Sequence, residues 1–158
     1  MNKKHLYLLG LMALVMGMFI LNSCSSDDDE STADASSIYG TWQWVSSEGT
    51  EDGKDFSKSY GEGRLRYYRI NADNTWEYYN QDRDDGKWRG SKGNLIFDFE
   101  NKKITLKYGE KEIVEFTKNT LKLQESSTSS GHSWTQTDKL RKVDDSVLDK
   151  IIADNSIK

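Results

Sequence analysis

From Leu95 to Leu123 the apolar residues fall at every second position, and no other feature narrows the fold of this chain as far. Leu95, Phe97 and Phe99 alternate with Ile96 and Asp98. Ile104, Leu106 and Tyr108 alternate with Thr105 and Lys107, and Gly109-Glu110 reads as a turn. Ile113–Thr117 reads as a mixed strand, and after Lys118-Asn119 Leu121 and Leu123 flank Lys122. A repeat of two gives a strand one buried and one wet face. The first half follows the same rule. Thr41–Ser46 sets Trp42 and Trp44 on one face, and Thr75–Asn80 does so with Trp76 and Tyr78. Leu65–Ile70 is a further strand, tied to Thr75–Asn80 by the turn Asn71-Ala72-Asp73-Asn74, where Asn and Asp tolerate left-handed backbone. Polar Gln81–Gly86 and Ser126–Gly131 read as loops, and Ser133–Val143 as a last long strand.

Short strands at roughly 8–12-residue spacing belong to a sandwich or an up-and-down antiparallel barrel. Closure into a barrel leaves no exposed edge. Asp144–Asn155 breaks the pattern: Val147, Leu148, Ile151 and Ile152 recur at helical spacing. Asp145 or Ser146 would cap this amphipathic helix, which packs on the sheet or, alternatively, serves an interaction.

The N-terminus carries a second signal. Lys3 and Lys4 precede an uncharged apolar run, Leu6–Leu21, that ends in Leu21-Asn22-Ser23-Cys24. The run is shorter than the ~20 residues of a spanning helix and has the layout of a cleavable signal. It resembles a bacterial lipoprotein signal, which implies lipidation of Cys24. Residues 1–23 are then the signal peptide and 24–37 an acidic, serine-rich tether. The barrel occupies 38–143, and the helix and tail 144–158. Two or more acyl chains hold a protein durably at a membrane. By resemblance to Gram-negative lipoproteins, Ser25 after the cysteine implies the outer membrane rather than retention in the inner one. Asp27-Asp28-Asp29-Glu30 resembles the export tags of surface-displayed lipoproteins, with a periplasm-facing tether as the alternative. Cys24 is the only cysteine, so the folded part has neither free thiol nor disulfide.

The formal net charge is −4, and removal of Lys3 and Lys4 makes the remainder more acidic. Nucleic-acid affinity rests largely on basic phosphate contacts, so no nucleic-acid partner is expected.

The domain resembles the lipocalin-like domain of small bacterial lipoproteins. The resemblance runs over about Ile38–Val143. It begins at Gly40-Thr41-Trp42, continues through Ile70-Asn71-Ala72-Asp73-Asn74-Thr75 and Gly86-Lys87-Trp88, and is densest in Ile113–Leu123. It implies a lipocalin-like barrel of about eight strands. It also implies structural roles for Gly40 and Trp42, with Arg141 stacking its cation across Trp42.

Trp44, Tyr68, Trp76, Tyr78 and Trp88 are candidate ligand-lining residues, although the same side chains could simply fill the interior. The acidic loop Asp82–Asp85 lacks the EF-hand pattern: counted from Asn80, the sixth and twelfth positions hold Asp85 and Ser91. With His132 the only histidine after the signal, neither a nucleophilic triad nor a histidine metal site is expected. No cofactor is expected, and catalysis is not. The expected function is a lipid-anchored envelope protein whose barrel binds a small apolar or amphipathic ligand. The alternative is a solid-core interaction module for protein or glycan, with Glu48–Gly63, flexible by composition, as its contact loop.

Overall fold

The computed structural model describes residues 33–157; Cys24 and the segments assigned above to signal and anchor lie outside them. A short 3-10 turn, Ala35–Ile38, leads into ten strands and a terminal helix. The strands are β1 (Gly40–Glu51), β2 (Lys54–Ser59), β3 (Arg66–Ile70), β4 (Thr75–Gln81) and β5 (Trp88–Asn94), then β6 (Ile96–Asp98), β7 (Lys103–Leu106), β8 (Gly109–Phe116), β9 (Thr120–Ser129) and β10 (His132–Val143). The helix, α1, is Asp145–Asp154.

All pairings are antiparallel, in the order β5-β4-β3-β1-β10-β9-β8-β7-β6, with β2 beside the second half of β1. The two ends of this order, β5 and β6, are consecutive in the chain and separated by Leu95 alone. The sheet therefore curls into a nearly closed barrel. The count exceeds eight because of the short β6 and the β2 hairpin. The Glu48–Gly63 segment, expected to be flexible, is mostly this hairpin: Ser46–Glu51 pairs with Lys54–Ser59.

The period-two pattern selects the interior. Trp42, Trp44, Tyr68, Ile70, Trp76, Tyr78, Ile104, Leu106, Ile113, Leu121, Leu123 and Leu140 are buried together. Burying each such side chain contributes roughly 1.5–3 kcal/mol. Two bulges reset the alternation. One lies between Trp44 and Ser46, so that Ser47 follows Trp44 into the interior. The other lies between Ile113 and Glu115, leaving Val114 exposed. A single extra residue exchanges the two faces of a strand. The β7–β8 turn falls on Lys107-Tyr108, with Leu106 opposite Gly109, two residues earlier than the sequence pattern suggests.

One barrel end is plugged. Ile38, fully buried, seals it, and its carbonyl accepts a 2.7 Å hydrogen bond from Trp42 Nε1. Gly40, between them, has φ +112°, which a side chain rarely tolerates. The connections 60–65, 82–87 and 107–108 lie at the other end, as the antiparallel registers require.

Helix α1 lies on the outer face. Its cap is Asp144, one residue earlier than expected, whose carboxylate accepts from the Ser146 amide at 2.9 Å. Leu148 is fully buried, Thr41 Oγ1 donates to Asp145 Oδ1 at 2.6 Å, and Arg69 pairs with Asp149 at 2.6 Å.

Candidate functional site

At the unplugged end five rings from five segments converge. Trp44 of β1 lies 5.7 Å from Tyr60, 5.8 Å from Tyr68 and 6.5 Å from Tyr78 between ring centroids. Tyr68 and Tyr78 are 4.9 Å apart, as paired residues of β3 and β4 must be, and Tyr108 meets Tyr78 edge-on at 5.6 Å. Cations sit on this cluster. The Arg66 guanidinium is 4.6 Å from the Tyr60 ring and 5.4 Å from Trp44, and Lys107 Nζ is 4.6 Å from Tyr78. Such contacts contribute about 0.5–2 kcal/mol each and hold the cations in place.

Beneath the rings runs a buried polar network. Trp44 Nε1 donates to Ser47 Oγ at 3.1 Å, and Ser47 donates to Asp138 Oδ1 at 2.6 Å. Gln136 donates to the same oxygen at 2.7 Å. Asp138 Oδ2 meets Lys111 Nζ at 3.1 Å, and Lys111 also reaches Glu125 at 2.8 Å. The Lys111 and Asp138 side chains are each 1% exposed, so each charge depends on its partner.

Among the described residues two buried side-chain oxygens have no hydrogen-bond partner, the hydroxyls of Tyr68 and Ser91, and that of Tyr68 lies within the ring cluster. Burial pushes its pKa far above the ordinary phenol range, reinforced by Tyr78, Tyr108, Asp138 and Glu125 nearby. Burial likewise raises Tyr78, and the Arg66 guanidinium partly opposes this.

The structure brings together three of the five residues anticipated as lining, Trp44, Tyr68 and Tyr78. Trp76 is also buried, but toward the plugged end, opposite Gly93, where an added Cβ would come within 2.6 Å of its ring. Trp88 points the other way. Its partner Gln81 lies on the face opposite Tyr78, so its ring packs outside the barrel against Tyr67 at 6.0 Å. Arg141 must also be corrected. Trp42 pairs with Lys142, and Arg141 with Gln43. Arg141 is therefore exposed and donates to Gln43 Oε1 at 2.7 Å, while Lys142 Nζ sits 4.7 Å over the Trp42 ring.

Tyr60, Arg66, Lys111, Asp138 and Ser47 were not anticipated. For Lys111 and Asp138 a signal existed: each stands two residues before an inward apolar residue, Ile113 and Leu140. The acidic loop closes on itself, with Arg89 3.2 Å from Asp82 and 3.4 Å from Asp85. His132, exposed, pairs with Asp52 at 2.8 Å. The arrangement at the unplugged end suits non-covalent binding: a cluster of tilted aromatic rings, cations stacked on them and a buried hydroxyl without a partner.

The family model described as lipocalin-like domain matches residues 38–123. No curated protein sequence matches. Among solved structures, bovine odorant-binding protein in complex with undecanal is similar at 18% identity and TM-score 0.44, over 83% of this chain and 90% of that one. The bovine lipocalin allergen Bos d 2 is similar at 15% identity and TM-score 0.46, over 80% and 90%. Apocrustacyanin C1 is similar at 12% identity and TM-score 0.44, over 82% and 77%.

Proposed function

The chain belongs to the lipocalin-like domain family, and from that premise we propose that it is a non-catalytic binding protein, held at the bacterial outer membrane by lipid on Cys24. Its ligand is a small amphipathic molecule taken at the unplugged barrel end. The observation that carries the binding role is the buried, unpartnered Tyr68 hydroxyl within the Trp44–Tyr60–Tyr78–Tyr108 ring cluster. A buried hydroxyl without a partner costs about 1–3 kcal/mol, and a ligand polar group would remove that cost. The ring wall would bury the apolar part of the ligand, with polar tips setting its orientation.

Titration of the full-length protein with decanol tests this. Saturable quenching of tryptophan fluorescence that weakens in Tyr68→Phe is the expected result; no saturable response would overturn the binding role. The anchor rests on the Leu6–Leu21 run and Cys24. Metabolic labelling with an alkynyl fatty acid should tag the protein, and Cys24→Ser should abolish the tag. Exposure at the cell surface is read from Asp27–Glu30 and is checked by protease shaving of intact cells.

A second reading, an interaction module for protein or glycan, is favoured by β2. This exposed strand pairs only with β1 among the described residues and so offers a free edge. In that case, replacing Lys54–Ser59 by a glycine-serine segment abolishes capture of an envelope partner and leaves decanol without effect.

A further inference from the structure

We propose that the ligand carries an oxyanion head, a carboxylate or phosphate, and that Arg66 with Arg64 receives it at the rim of the ring cluster. This rests on the binding role proposed above and specifies its ligand class. Next to the cluster opens a cavity of about 480 Å³ whose lining includes Lys58, Tyr60, Arg64, Arg66 and Arg83. Four cations thus share one concavity in a chain whose net charge is −4. Among the described residues none of the four has a carboxylate within ion-pair distance, whereas Arg69, Arg89, Lys103, Lys111 and Lys122 all do. The one acidic residue of the lining, Asp82, is already engaged by Arg89 at 3.2 Å.

Arg66 is built to receive an anion rather than merely present. It sits on strand β3, its backbone paired with Asn80. Its guanidinium rests on the Tyr60 and Trp44 rings, and Tyr60 is itself fixed by a 3.2 Å hydrogen bond with Ser47. A planar fork locked in this way loses little freedom when it binds an oxyanion through two parallel N–H bonds. The β1–β2 hairpin completes the rim. It carries Lys58, whose ammonium lies 5.1 Å from the Phe56 ring, and leads directly to Tyr60. An anion held at Arg66 places its attached apolar chain against the same rings that would bind decanol.

The test compares decanoate with decanol, which share a chain length and differ in head group, and adds inorganic phosphate alone. In the full-length protein decanoate should bind about tenfold or more tightly than decanol. That advantage should shrink with added salt and disappear in an Arg64→Gln, Arg66→Gln double variant, in which decanoate and decanol bind with equal affinity. Phosphate should compete with decanoate and not with decanol. Equal affinity for the two amphiphiles overturns the oxyanion head but leaves the binding role standing; failure of both to bind overturns the binding role itself. If the double variant proves unstable, Arg83→Gln and the salt dependence provide the reading, since an unchanged preference at high salt also overturns the proposal.

Discussion

Lys142 Nζ lies 4.7 Å from the centre of the Trp42 ring and donates to the carbonyls of Ser37 and Tyr39. One side chain thus ties the 3-10 plug to the first and last strands. Burial holds the ammonium below its ordinary lysine value, and Asp145 opposes that shift. Lys142→Met should therefore lower stability by about 2 kcal/mol, since it removes a cation–ring contact and two charge-assisted hydrogen bonds. Arg141→Ala, one residue away and exposed, should change it by less than about 0.5 kcal/mol. Urea denaturation of the two variants decides; equal losses would refute the assignment.

Lys111→Met should be the more damaging change. It leaves the Asp138 carboxylate buried with only Ser47 and Gln136 as donors. Removing one member of a buried ion pair costs about 3–5 kcal/mol. Replacing both partners together, Lys111→Met with Asp138→Leu, should recover part of the loss, because no lone charge then remains. Melting temperatures of the single and double variants check this.

Tyr68→Phe should stabilise the protein by about 1 kcal/mol, because it deletes a hydroxyl that is buried without a partner. The same change should weaken decanol binding, and these opposite signs separate a binding role from simple packing. The hydroxyl also predicts an alkaline response. Its folded-state pKa is raised above the ordinary value of 10.0. Its contribution is therefore intact below pH 10 and is lost as pH rises toward the folded value. Tyr79, raised to about 12 by burial and by its bond to Glu77, acts in the same direction. Stability followed by circular dichroism should fall above pH 10 in the unaltered protein and less steeply in Tyr68→Phe.

Asp144 predicts an acid response of opposite sense. The Ser146 side chain and amide hold its carboxyl below the ordinary value of 3.8. Its capping contribution is present above that value and is lost as pH falls through the folded value. Asn caps without a charge, so Asp144→Asn should keep helix docking independent of pH across this acid window. Amide exchange of α1 residues, measured from neutral pH down to acid, shows the difference.

The β-rich architecture was legible because alternation is a local property. Leu121, Leu123 and Leu140 must face one way whatever the rest of the chain does. The helix was legible for the same reason: Val147, Leu148, Ile151 and Ile152 share one stripe. Arg141 was misassigned although alternation argued against it: Leu140 faces inward, so Lys142, two residues on, shares its face, and the pairing of β10 with β1 sets it opposite Trp42. Trp88 failed for another reason, since no alternating run led into it and its face was set by its pairing with Gln81.

The candidate site was half visible. Trp44, Tyr68 and Tyr78 stood out as large side chains on inward faces. Tyr60 and Arg66 did not, because Tyr60 lies in a connection and Arg66 at a strand start, where alternation carries no information. Lys111 and Asp138 held inward positions, yet a charge there becomes credible only once its partner is seen on another strand.

By itself, then, the sequence determined short alternating strands of a sandwich or barrel, their core stripe and the terminal helix, because each depends on residues a few positions apart. Tertiary structure alone decided which tryptophan faces outward and that Arg66, Tyr60 and Trp44 share one rim. Those outcomes depend on strand register and on two bulges, which couple residues far apart in the chain and reverse faces with a shift of one residue.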